Sequence, residues 1–268
     1  MGRKWVGTGW KMNKLLAEAE AYARSLREFV DGHAPEIEVF IVPPFTVLRR
    51  TCEILKGSPV KVGAQNMHWE ERGAFTGEIS PLMVKDCGAD LVELGHSERR
   101  AQFGETDYTV NRKVLAALGH GLRPLVCVGE TGPEKAFGVA RECVARQVKI
   151  ALKDVPESRI GEVILAYEPV WAIGESGTPA EPDYANSVHG VIRDAVSGLY
   201  GSRAAGEVPV LYGGSVDAEN GPLFVREKEV DGLFVGRAAW DVRGLIRIIE
   251  AVQGESRGRP RGHEEPAP

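Results

Sequence analysis

With 268 residues, 43% of them hydrophobic and 26% charged, the chain has the makeup of a folded globular protein, which excludes disorder for its bulk. The net charge of −5 and the pI of about 5.8 argue against nucleic acid as the main partner, since that requires a strongly basic face. They leave room for a single phosphate held by backbone amides. No apolar run approaches the roughly 18–20 residues of a membrane span, and Met1-Gly2-Arg3-Lys4-Trp5 leads into a strand-like stretch with no signal-peptide core. Cys52, Cys87, Cys127 and Cys143 form neither a CxxC pair nor a cluster with metal-ligand spacing. A cytoplasmic protein with reduced thiols is therefore expected.

In chain order, short runs rich in Val, Ile and Leu predict buried parallel strands at Trp5–Thr8, Glu38–Val42, Val60–Ala64, Asp90–Leu94, Pro124–Val128, Val163–Ala166, Val208–Tyr212 and Gly232–Val235. Helical periodicity appears over Leu15–Val30, Tyr108–Leu118, Ala136–Leu152, Tyr184–Leu199 and Gly244–Val252. Strands that alternate with helices in this way predict an α/β protein, a (β/α)8 barrel, in one domain spanning residues 1–253. A doubly wound sheet is the alternative, but eight regular units in this length fit closure better. Residues 254–268 lack apolar periodicity and predict a disordered tail.

A barrel carries its chemistry at the C-terminal ends of its strands. There the sequence places Lys11 after the first strand, His96 after the fourth and Glu168 after the sixth, so one Lys, one His and one Glu converge on one mouth. Glu168 follows an apolar strand, and a carboxylate among apolar walls gains proton affinity and can abstract a proton from carbon. The plainer alternative is a buried salt-bridge partner. His96 begins a short helical turn, whose N-terminus disfavours imidazolium, so a neutral ring could donate to a carbonyl. Taken alone, a histidine is more often a satisfied structural residue. Lys11 could hold a phosphate and stabilise an enolate oxygen, or pair with Glu98. Gly213-Gly214-Ser215 and Gly236 follow the last two strands, where barrels build phosphate sites from backbone N–H groups. Gly174-Glu175-Ser176-Gly177, between Trp171 and Pro179, reads either as a lid tip with stiff hinges or as an ordinary surface loop.

Together these segments resemble the triosephosphate isomerase family. The matches are Trp10-Lys11-Met12-Asn13, Gly63-Ala64-Gln65-Asn66, Gly73-Ala74-Phe75-Thr76-Gly77-Glu78, Gly95-His96-Ser97-Glu98-Arg99-Arg100, Cys127-Val128-Gly129-Glu130, Ala166-Tyr167-Glu168-Pro169-Val170-Trp171-Ala172-Ile173-Gly174 and Tyr212-Gly213-Gly214-Ser215-Val216. They run in order over nearly the whole chain. The resemblance implies Glu168 as the base, His96 as a neutral electrophile and Lys11 as the electrostatic partner, with Ser97 and Glu98 as support. That division of labour is the family's known one. The resemblance further implies phosphate binding by amides near Gly174, Gly214, Ser215 and Gly236, and a lid that includes Trp171, Ala172, Ile173, Glu175 and Ser176. It implies no metal and no organic cofactor. It also implies a homodimer in which the arm Gly73–Glu78 enters the neighbouring subunit, with Phe75 as a buried anchor and Thr76 near the other site.

The departures from the family pattern concern the surroundings of the reaction. Gly9 stands where the family has Asn, Gly236-Arg237 where it has Gly-Gly, and Glu175-Ser176-Gly177 where it has Thr-Gly-Lys. Losing the Asn side chain opens space at the reacting end of the substrate, and Arg237 could join the phosphate site. Gly7–Lys14 together with Gly236–Trp240 looks like the branch of the family that isomerises erythrulose phosphate. L-Erythrulose 1-phosphate differs from dihydroxyacetone phosphate by an extra CH2OH on the carbinol carbon, so the expected substrate is this four-carbon sugar phosphate. Glycolytic triose phosphate is the alternative, and a non-catalytic phosphate-binding homologue a more remote one.

Overall fold

The computed structural model describes residues 3–174 and 177–258. Eight parallel strands close into a barrel in chain order: β1 (Trp5–Gly9), β2 (Glu38–Val42), β3 (Lys61–Ala64), β4 (Leu91–Leu94), β5 (Arg123–Val128), β6 (Ile164–Tyr167), β7 (Val210–Tyr212) and β8 (Gly232–Val235). Closure is made by β1 against β8, with Trp5 opposite Gly232 and Thr8 opposite Val235. Around the barrel lie α1 (Leu16–His33), α2 (Phe45–Leu55), α3 (Pro81–Asp86), α4 (Ser97–Gln102), α5 (Asp107–Gly119), α6 (Gly132–Ala136), α7 (Ala140–Ala151), α8 (Pro182–Glu207), α9 (Gly221–Arg226) and α10 (Val242–Gly258). The single (β/α)8 barrel is the fold class that the strand and helix periodicities predict.

Two apolar layers hold it together. Alternate residues of each strand point outward, as Val6, Val39, Ile41, Val92 and Leu94 do, and pack under the helices. Their neighbours point inward, where Trp5, Phe40, Leu91, Leu125, Ile164, Leu211 and Phe234 fill the barrel. Phe40 stacks on Phe234 with centroids 5.5 Å apart and meets Trp5 edge-on at 6.1 Å. Gly7 makes this possible, because a Cβ there would fall 2.3 Å from the Phe40 ring.

Three boundaries differ from the sequence reading. The helix expected over Ala136–Leu152 is α7, which begins only at Ala140, because Ala136 ends the preceding short helix α6. Thr131 caps α6 by accepting from the Glu134 N–H while Glu134 accepts from the Thr131 N–H, and Gly138 at φ +75° then turns the chain before α7. Helix α8 is broken at Gly201, whose φ of +85° and ψ of 164° are not helical, so the helix expected to Leu199 ends there and a second helical segment follows to Glu207. Helix α10 runs through Gly258 rather than stopping at residue 253. Its buried stripe of Leu245, Ile248, Ile249 and Val252 continues into Glu255, which pairs with Arg226 at 2.8 Å. The first part of the expected tail is therefore helical, and residues 259–268 lie outside the described residues. Helix α2 was missed although Val47, Leu48, Thr51, Cys52 and Leu55 form a buried stripe along it; α3 and α9 are six residues each, too short to display a period.

Candidate active site

The ends of β1, β4, β6, β7 and β8 surround a cavity of about 610 Å³ at the C-terminal mouth of the barrel. Gly9, Lys11, His96, Glu98, Glu168, Gly174, Gly214, Ser215, Gly236 and Arg237 all line it. The residues singled out after five separate strands thus meet in one place, although Ser97 faces a neighbouring groove on the far side of α4.

Glu168 directly follows β6, and its N–H donates to Val128 O at 2.8 Å, which continues the β5–β6 ladder and fixes the backbone. Its carboxyl turns inward over Gly213, where a Cβ would lie 2.7 Å from Glu168 Cγ, so glycine there is a condition of the carboxyl's position. The group is buried, and Oε2 has no hydrogen-bond partner among the described residues. Burial raises its pKa above the usual carboxylate value, against the opposing pull of His96 and Lys11. An unpartnered carboxyl oxygen of raised proton affinity, facing a cavity, is equipped to take a proton from carbon.

His96 caps α4, and its Nδ1 accepts from the Glu98 N–H at 3.2 Å. That bond assigns the ring proton to Nε2, so the imidazole is neutral and presents an N–H to the cavity. Nε2 lies 3.5 Å from Glu168 Oε2, bringing donor and base to opposite edges of one small volume. Lys11 reaches the same volume with Nζ 2.6 Å from Glu98 Oε1. It is 27% exposed rather than buried. Its backbone sits at φ +51°, a costly conformation for a non-glycine residue, held by Gln65 Nε2 donating to Lys11 O at 2.9 Å and to Val42 O at 3.0 Å.

Across the cavity, the N–H groups of Gly214, Ser215, Gly236 and Arg237 make no backbone hydrogen bond among the described residues. They form a set of donors suited to an anion. Three contacts draw the segment after β6 over this wall. Ser215 Oγ donates to Ala172 O at 2.9 Å, Arg237 Nη2 donates to Gly174 O at 2.7 Å, and the Ala180 N–H donates to Tyr212 Oη at 3.1 Å. Arg237 is thus committed to the root of the loop in this conformation. Trp171 is held from behind, its Nε1 donating to Glu130 Oε1 at 2.8 Å, with Tyr167 and Tyr184 donating to the same carboxylate. Ala172 is buried, Ile173 lines the cavity, and Glu175 and Ser176 lie outside the described residues.

The cavity floor holds groups that the sequence reading passed over. Trp240 Nε1 donates to Gly9 O at 3.0 Å. A Cβ at position 9 would sit 3.2 Å from Phe234 Cζ and 3.6 Å from Glu93 Oε2, so the space opened by Gly9 is bounded by an aromatic ring and a carboxyl. Glu93 is buried, and burial pushes its pKa up to about 7, with Glu168 adding to the rise and His96 opposing it. The signal was present in the sequence, since Glu93 is the one charged residue in the apolar strand Leu91-Val92-Glu93-Leu94. A carboxyl raised from 4.5 in this way favours folding below pH 4.5, and that contribution is lost as pH rises through about 7.

Away from the cavity, residues 71–78 are exposed. Phe75 is 43% exposed and folds onto its own chain, its ring centroid 4.2 Å from that of His68. No helix among the described residues is long and apolar enough to cross a membrane.

A family model described as triosephosphate isomerase matches residues 4–252. The chain is 52% identical over 250 residues to an L-erythrulose-1-phosphate isomerase of Rhizobium meliloti, covering 92% of this chain and 96% of that one. It is 50% identical over 250 residues to a protein of the same name from Brucella abortus, covering 93% and 96%. A third, from Rhizobium rhizogenes, is 49% identical over 257 residues, covering 96% and 97%. Fold, cavity and sequence agree, and the chain belongs to the triosephosphate isomerase family.

Proposed function

We propose that this isomerase converts L-erythrulose 1-phosphate into D-erythrulose 4-phosphate through an enediol, without a cofactor. The observation that carries the chemistry is the unpartnered, buried Oε2 of Glu168 lying 3.5 Å from the neutral Nε2 of His96. The phosphate is held by the N–H groups of Gly214, Ser215, Gly236 and Arg237. Glu168 removes the proton from the carbinol carbon C3. The C2 carbonyl oxygen gains a proton through the Nε2–H of His96, while the Lys11 ammonium stabilises the charge that develops on the enediolate. Glu168 returns its proton to C2, and the C3 hydroxyl gives its own to Nε2 of His96, which restores the neutral imidazole and leaves a C3 ketone. One proton moves between adjacent carbons and no electron acceptor is consumed.

The four-carbon assignment rests on Gly9 and on the relatives of about 50% identity, each named for that reaction. An extra CH2OH on C3 points away from the phosphate, toward the space beside Gly9. Triose phosphate is the second reading, favoured by the intact Lys11, His96 and Glu168. Gly9→Asn separates the two. The new side chain fills the space against Phe234 and Glu93, and kcat/KM for the four-carbon substrate is expected to fall about 100-fold while that for dihydroxyacetone phosphate is retained or rises. An unchanged ratio of the two values in steady-state assays would remove Gly9 from the specificity argument.

We further propose a cytoplasmic homodimer. Met12, Leu15, Leu16, Phe45, Leu82 and Met83, which follow β1, β2 and β3, are exposed in the single chain, as is the arm carrying Phe75 and Thr76. A partner that covers them would bury Phe75 and bring Thr76 toward the other site. The four cysteines are all free thiols, in keeping with a reducing compartment.

A further inference from the structure

We infer that Glu93 is a specificity-determining residue, whose carboxyl hydrogen-bonds the terminal hydroxyl of the substrate's extra CH2OH in the space beside Gly9. This rests on the four-carbon reading above. Glu93 is inward-facing on β4, one alternation above Leu91 of the barrel core, and it lines the same cavity as Lys11, His96 and Glu168. Its Oε2 lies 3.6 Å from where a Cβ at position 9 would be, so it borders the volume that a missing side chain leaves open. Among the described residues its hydrogen-bond partner is the Cys127 thiol, with Sγ 3.9 Å from Oε1, a weak donor at long range. No cation pairs with it within hydrogen-bond distance among the described residues.

A carboxyl buried among Leu91, Leu125 and Phe234 with so little compensation is costly to the fold, and an apolar residue would pack there at no such cost. A substrate hydroxyl supplies the missing partner. The phosphate is taken by the wall formed after β7 and β8, and C2 and C3 lie over the pair His96 and Glu168, in reach of both side chains. The substituent on C3 is then directed to the remaining wall, where Phe234 covers its CH2 and Glu93 meets its OH. A three-carbon substrate has no atom to place there. Because a site built to hydrogen-bond a hydroxyl discriminates against the analogue that lacks it, Glu93 selects for the longer sugar as well as accommodating it.

The test compares wild type, Glu93→Gln and Glu93→Leu. The readouts are kcat and KM for L-erythrulose 1-phosphate, and Ki for dihydroxyacetone phosphate added as a competitor, which reports an intact pocket whether or not it is turned over. For Glu93→Leu, kcat/KM for the four-carbon substrate is expected to fall about 10–100-fold, mainly through KM. The Ki for the three-carbon competitor is expected to move less than about threefold. Glu93→Gln keeps a hydrogen-bonding group and is expected to recover most of the loss. Equal losses on both ligands, or no loss on either, overturn the role of Glu93 while the four-carbon reading stands. A wild-type enzyme that binds dihydroxyacetone phosphate but does not turn over L-erythrulose 1-phosphate overturns that reading, and this inference with it.

Discussion

Glu168→Gln is expected to lower kcat by about 10³–10⁴-fold while substrate still binds, because the amide keeps the shape of the side chain and cannot accept a proton. The structure assigns so large a share to one residue because, among the described residues, Glu168 Oε2 is the unpartnered carboxyl oxygen beside His96 Nε2, whereas Glu93 lies on the cavity floor by Gly9 and Phe234. Glu98 is engaged by Lys11 at 2.6 Å, and the carboxyl of Glu130 is taken up by Tyr167, Trp171 and Tyr184. Steady-state kinetics check the outcome, with KM expected to move little. The same carboxyl sets a pH dependence. Glu168 works as carboxylate and burial lifts its pKa above 4.5, so kcat/KM is lost as pH falls, with an acid limb above pH 4.5 that belongs to Glu168 and Glu93 together. Turnover unaffected by Glu168→Gln would remove the residue from the reaction.

The second large effect is expected at Lys11. Lys11→Met preserves side-chain length and removes the charge, and kcat/KM is expected to fall about 10²–10³-fold, the usual scale for loss of one preorganised electrostatic group. Two consequences combine. The developing enediolate loses its cation, and Glu98 is left as an unpaired carboxylate at the cavity wall. The loss is therefore expected in both KM and kcat, unlike that of Glu168→Gln, because the ammonium attracts the phosphorylated substrate as well as the transition state. Circular dichroism would show the fold retained, since the backbone at Lys11 is held through its carbonyl by Gln65 and not through its side chain.

The barrel was legible in the sequence because its signal is redundant. Eight apolar runs, each followed by polar or glycine-rich residues, leave few architectures, and β2 and β8 fall on the residues that their apolar runs predicted. Lys11, His96 and Glu168 could be placed at one mouth because strand ends in a barrel all open on the same face. Local punctuation was harder to see. The start of α7 was placed four residues early, at Ala136, because the turn that Gly138 makes at φ +75° between α6 and α7 was not recognised. The end of α10 was placed early because the residues after it lack apolar periodicity, whereas the pairing of Arg226 with Glu255 is a tertiary contact invisible to periodicity. Glu93 was hidden for another reason. A charge inside an apolar strand was absorbed into the strand pattern, and its meaning depends on Gly9 and Phe234, which come from β1 and β8.

Reading the floor of the cavity from the structure sharpens the substrate argument. Gly9 alone says that space is available; Gly9 with Phe234 and Glu93 says what fills it, a CH2 against a ring and a hydroxyl against a carboxyl. The reacting groups and the floor beside Gly9 thus occupy different walls of one cavity, so substrate length can change without disturbing the base, the electrophile or the phosphate donors.

The most direct measurement is kcat/KM of the wild-type enzyme for L-erythrulose 1-phosphate and for dihydroxyacetone phosphate, taken side by side under the same conditions. Turnover of the four-carbon sugar at least about 100-fold more efficient than that of the triose is the predicted result. Faster turnover of the triose phosphate would contradict it and make the space beside Gly9 irrelevant to the choice of substrate.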